Sequence, residues 1–203
     1  MVSRRRQKPV LILAVIAASG LALLAWTQPW ATVQLAQDGS IDQALEVTGA
    51  IAAPGLTALA LAGLALAGAL TIAGVVIRVV LGILEMLLGF SVALSAVLVL
   101  VDPVGAAAAA VTTATGISGD ESTRAAVSGA TLTAWPFVAL VAGVLMLLLG
   151  LSVVLTARSW PGPTKKYETT RFTSTEDAAT GTERPRDAVD DWDGLTRGDD
   201  PTA

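Results

Sequence analysis

The sequence predicts an all-α membrane protein, a four-helix transmembrane bundle with a small extracellular β-hairpin in its first outer loop. Three observations predict it. Four long apolar blocks, 9–26, 54–76, 79–101 and 134–157, hold one charged side chain between them, Glu85. The basic residues are sorted between the segments that separate these blocks. The first long connection alternates apolar and polar residues on either side of an Asp-Gly pair. A bilayer core needs about 20 apolar residues per helical crossing. A chain of 203 residues, 53% of them hydrophobic, has no soluble core that could bury four such helices.

Residues 1–8 form a basic N-terminus carrying Arg4, Arg5, Arg6 and Lys8, ahead of the first span at 9–26. A secretory leader would end in small residues of an A-x-A pattern. This block ends in Trp26-Thr27-Gln28-Pro29-Trp30 instead, so a retained first span is expected. Residues 27–53 form an outer loop. Ala31-Thr32-Val33-Gln34-Leu35 and Ala44-Leu45-Glu46-Val47-Thr48 each alternate with period two, and Asp38-Gly39 between them is a favoured hairpin turn.

The apolar stretch 54–101 would be about 72 Å long as one helix at 1.5 Å per residue. It must therefore fold back, and Gly74 and Arg78 mark the turn between spans 54–76 and 79–101. Ala58, Ala62, Gly63, Ala65, Ala67, Gly68 and Ala69 make the second span a small-residue surface suited to close helix packing, as do Gly82 and Gly89 in the third. The second outer loop, 102–133, opens with Asp102-Pro103 and has an Ala-rich stretch, 106–111, expected as a short surface helix. The fourth span covers 134–157. Residues 158–203 are poor in apolar side chains and read as a cytoplasmic, largely disordered tail.

Four crossings place both termini on one side. With the N-terminus in the cytoplasm, twelve of the thirteen basic residues lie inside and Arg124 alone lies outside. This is the asymmetry expected of a multi-pass plasma-membrane protein. Trp26, Trp30, Trp135 and Trp160 fall at the ends of spans, where indole rings favour the headgroup zone as interfacial anchors.

Chemistry is sparse. Cysteine and histidine are absent, which removes disulfides, thiolate nucleophiles, the commonest general base and the commonest metal ligand. No phosphate-cradling glycine loop or nucleophile–base pair is present, so neither an enzyme nor a cofactor is expected. Nothing points to a nucleic-acid partner, and the bilayer is the first partner.

Glu85 is the candidate intramembrane polar site, because a carboxylate inside a span is costly and marks function by default. Arg78 lies seven residues earlier, near the same helix face. Thr71 lies about as far before the turn as Glu85 lies after it, and is the expected partner. Ser152 and Thr156 are further candidates. Interhelical hydrogen bonding is the reading favoured for Glu85, and a proton or substrate relay is the functional alternative. In the tail, Trp192 and Leu195, three apart among acids, form a candidate docking segment for a cytosolic protein. A homo-oligomer is compatible with the small-residue helix faces.

Several motifs carry a family resemblance. They are Trp26-Thr27-Gln28-Pro29-Trp30, Val47-Thr48-Gly49, Arg158-Ser159-Trp160-Pro161, Lys165-Lys166-Tyr167-Glu168, and Trp192-Asp193-Gly194-Leu195 with Gly198-Asp199-Asp200-Pro201-Thr202. In these the chain resembles the tryptophan-biosynthesis-associated membrane proteins of actinobacteria. The resemblance implies a four-span protein of uncharacterised activity, linked to tryptophan biosynthesis in an accessory or interaction role. The alternative is a small transporter or exporter of tryptophan or an indole-like precursor.

Overall fold

The computed structural model describes residues 4–35, 44–158 and 160, with side chains from Gln7 onward. The tail segment around Trp192 and Leu195 lies outside the described residues, as does the Asp38-Gly39 turn.

Four apolar helices, α1 (Arg4–Trp26), α3 (Leu56–Ile72), α4 (Val75–Val101) and α8 (Trp135–Thr156), pack into a ring. Each helix has two extensive partners, α1 with α3 and α8, and α4 with α3 and α8. The α4–α8 pair is by far the most extensive and the α3–α4 pair the least. Three helices are long and apolar enough to cross a membrane: Gln7–Trp26, Val75–Val101 and Trp135–Thr156. α3 has 17 residues, or about 25 Å of helix, and falls short of a bilayer core of about 30 Å on its own.

α4 and α8 pack closely because glycine faces glycine at two levels. A methyl added at Gly89 would lie 2.7 Å from the Gly143 carbonyl oxygen, and one at Gly150 would lie 2.7 Å from that of Gly82. Those distances leave no room for a side chain, so the two backbones touch, as small residues permit within a bilayer. The turn between α3 and α4 is tighter than expected. It consists of Ala73 and Gly74 alone, and Arg78 stands within the first turns of α4 rather than in the turn.

A cap covers one end of the ring, where α1 and α4 end and α3 and α8 begin. The alternating segments of the first loop form β1 (Pro29–Leu35) and β2 (Ala44–Thr48), paired antiparallel with Val33 opposite Leu45. A third strand, β3 (Val127–Leu132), comes from the second loop and pairs antiparallel with β1, giving the order β2-β1-β3.

α2 (Gly49–Ala52), α5 (Pro103–Ala106), α6 (Ala108–Thr115) and α7 (Asp120–Ala125) complete the cap. The Ala-rich stretch carries a short helix that exposes Ala109, Thr113 and Ala114 on one side and is buried on the other. Ala107, Ala110 and Val111 are buried with Ala31, Val33, Leu35 and Val47 in a core of the cap's own. Gly116 ends α6 at φ +73°, in the left-handed region that glycine enters at least cost.

Candidate functional site

Glu85 is the largest departure from apolar chemistry in the ring. α4 presents Arg78, Gly82, Glu85, Gly89, Val92, Ala96 and Val99 on its buried face, a regular three-and-four spacing. Glu85 therefore points inward because its glycine neighbours do, and it is fully buried. Both carboxyl oxygens lack a hydrogen-bond partner among the described residues.

Thr71 does not supply one. Its side chain is exposed, and its hydroxyl donates to the Gly68 carbonyl at 2.6 Å. The turn at Ala73-Gly74 places Thr71 beside it and Glu85 eleven residues beyond it, so the two do not share a depth, and the threonine also faces away from the ring. Ser152 and Thr156 likewise turn back on α8, donating to the carbonyls of Leu148 at 2.8 Å and Ser152 at 2.6 Å.

Arg78 shares the buried face with Glu85 but reaches the other way. Its Nη1 donates to the Ala157 carbonyl at 3.5 Å, and its guanidinium carbon lies 5.3 Å from the centre of the Trp160 ring. The cation thus sits on an aromatic face and at the carbonyl end of α8, two favourable places for positive charge. Lys8 does the same for α3, donating from Nζ to the Thr71 carbonyl at 2.7 Å.

A second buried polar group escaped the sequence reading. Ser19, the one serine of the first apolar block, is fully buried, and its hydroxyl has no partner among the described residues. A methyl at Gly63 of α3 would touch both Ser19 Cβ at 3.3 Å and Met146 Cε at 2.9 Å. A methyl at Gly89 would meet Met146 Cβ at 2.9 Å. Met146 of α8 thus fills the ring's centre between Ser19 on α1 and the Glu85 face of α4. The available signal was a lone hydroxyl in an otherwise apolar block.

The tryptophans divide into two pairs. Trp26 and Trp135 are half-buried at the cap end, and the Trp26 indole N–H is buried without a partner among the described residues. Trp30 and Trp160 depart from the anchor reading, because protein rather than lipid surrounds them. Trp30 is fully buried, its indole N–H donating to the Ala25 carbonyl at 2.7 Å. Trp160 is 3% exposed, next to Arg78.

In the cap, Asp102 accepts the Gly105 N–H at 2.9 Å and forms a two-pronged pair with Arg124, whose Nη1 lies 3.0 Å from Oδ1 and whose Nη2 contacts Oδ2. The Arg124 hydrogen bonds, then the Gly105 N–H, hold the Asp102 carboxyl below the usual carboxylate range. Asp102, and then Asp120, push Arg124 further into its cationic range.

The ring thus offers, among the described residues, one internal carboxyl, the unpaired hydroxyls of Ser19 and Thr57, and a dense apolar surround. Among the described residues no cluster of acidic side chains is placed to hold a metal. No curated protein and no solved structure matches the chain. A family model does match, over residues 12–202, nearly the whole length, and the chain belongs to the family it describes, the tryptophan-associated transmembrane proteins.

Proposed function

We propose that this protein is a non-enzymatic, four-span accessory component of tryptophan metabolism in the plasma membrane. Both termini lie in the cytoplasm and the cap lies outside. The observation that carries the four-span arrangement is the chain path. α1 and α4 both run toward the cap, so the chain must return between them, and α3 is the segment that returns. The apolar residues flanking it at 53–55 and 73–74 lengthen its 17 helical residues toward a full crossing. The cap holds one basic residue of thirteen, Arg124, which supports placing it outside.

The accessory role draws its support from the family's tryptophan association and from the close α4–α8 seam, which suits a rigid platform. Contact with a cytosolic protein falls to the tail around Trp192 and Leu195. Affinity capture of the full chain from membranes is expected to retain an enzyme of tryptophan synthesis and to lose it on deletion of 190–202. Equal capture by both forms would count against the role.

A second reading, a small exporter of tryptophan or an indole-like precursor, is favoured by one observation, the unpartnered Glu85 carboxyl inside the ring. Measuring tryptophan inside and outside cells that lack the protein separates the two. Accumulation inside favours export, and altered synthesis alone favours the accessory role. A Glu85→Gln variant with wild-type tryptophan flux would remove the export reading.

A further inference from the structure

Glu85 is sealed unevenly. On its α8 side the glycine contacts at Gly82–Gly150 and Gly89–Gly143 lock α4 to its neighbour. On the α3 side a lateral apolar cleft of about 380 Å³ opens between Ala62, Ala65 and Ala69 of α3 and Leu81, Leu84 and Leu88 of α4. Those leucines stand four before, one before and three after Glu85, so they lie together on one flank of it, between the buried acid and the open side.

α3 is also the helix best placed to move. It makes the least extensive contact with α4. It begins at Gly55 after Pro54 and is followed by the two-residue link Ala73-Gly74. No side chain caps the start of α3 or of α4.

The charged surroundings of Glu85 are few. α3 and α8 contain no Asp, Glu, Lys or Arg, and the charges of α1 stop at Lys8. On α4 the one other charged residue is Arg78, engaged with Ala157 and Trp160. A carboxylate charge without a partner at such a place is too costly to keep, so the group holds its proton while the ring is closed.

We propose that Glu85 is a proton-binding site within the membrane, gated by α3. When α3 swings from α4 along the cleft, the acid releases one proton to entering water and keeps the bonding electron pair as a carboxylate. Rebinding a proton precedes closure. The proposal deepens the export reading by naming what the site takes.

The chain contains no cysteine, so an introduced pair reports on these helices alone. Purified full-length protein in lipid nanodiscs is treated with dicyclohexylcarbodiimide. This apolar reagent adds a protonated carboxyl across a C=N bond, the acid proton passing to nitrogen, and rearranges to an acylurea. Mass spectrometry is expected to map one adduct to Glu85 and none there in Glu85→Gln, with labelling falling as buffer pH rises. In an Ala69→Cys/Leu81→Cys variant, oxidation to the disulfide is expected to abolish the adduct and reduction to restore it. The reduced form controls for folding.

Absence of the adduct in the wild type overturns the site. Equal labelling of the oxidised and reduced pair overturns the gate. Labelling and gating as described, together with wild-type tryptophan flux in Glu85→Gln, uphold the proton site and remove only the export reading.

Discussion

The individual side chains of this protein are sorted by how completely they escape water. Trp30 illustrates the apolar extreme. It fills the junction between ring and cap, and its single N–H is satisfied by Ala25. Trp30→Ala is expected to cost about 3–5 kcal/mol, the usual loss for a large buried aromatic, read by denaturant unfolding in detergent. Gly89→Leu should destabilise by about 1–3 kcal/mol through overpacking against Gly143 and Leu147, whereas Gly68→Leu should be near neutral because a side chain there meets open space.

Asp102 gives a pH prediction. Its folded pKa is depressed by Arg124 and the Gly105 N–H, so the pair's contribution is present above the unfolded value, about 3.9, and is lost as pH falls through the folded one. The protection of amides in α5 and α7, taken relative to their intrinsic exchange rate at each pH, should therefore fall on acidification in the wild type. Asp102→Asn should show faster exchange at neutral pH and a flatter profile.

At the scale of elements, what the sequence reveals depends on whether a property runs along the chain or around an axis. Helical content and the paired strands β1 and β2 were legible, because period and length are properties of contiguous residues. Depth was not, because the turn falls at Ala73-Gly74 and not near Arg78, which leaves Thr71 beside the turn and Glu85 far from it. Nor was rotation about the helix. Thr71 faces outward because the inward face of α3 is taken by Leu66, Ala67 and Leu70, and only packing reveals that. β3 was missed for a related reason. Val127-Ser128-Gly129-Ala130-Thr131-Leu132 has weak alternation, and its partner β1 lies far away in sequence. Trp30 and Trp160 looked like lipid anchors because an indole at a helix end satisfies the same pattern whether lipid or protein surrounds it.

The helix ends follow a shared electrostatic rule. Lys8 near the start of α1 and Arg78 near the start of α4 each deliver a cation to the carbonyl end of a neighbouring helix, α3 and α8 respectively. Lys8→Gln is expected to weaken the α1–α3 contact by about 0.3–1 kcal/mol, measurable as earlier amide exchange in the last turn of α3.

For the whole molecule, topology is the first property to measure. A cysteine at Thr131, exposed in β3, is expected to react with a membrane-impermeant maleimide added to intact cells. A cysteine at Arg158, just beyond α8, should react only after the membrane is opened. The reverse pattern would invert the orientation.

The three-stranded sheet also constrains the order of biogenesis. β1 leaves the ribosome before α3 and α4, whereas β3 follows both, yet β1 is the central strand and needs both neighbours. The sheet therefore cannot close until α3 and α4 have been made and the second loop has been brought back beside the first. Such long-range pairing is slow to form, because the intervening chain must first be ordered. Sheet closure thus reports that both loops have come together. A chain that stalls after α4 leaves β1 with an unpaired edge, open to pairing with other chains.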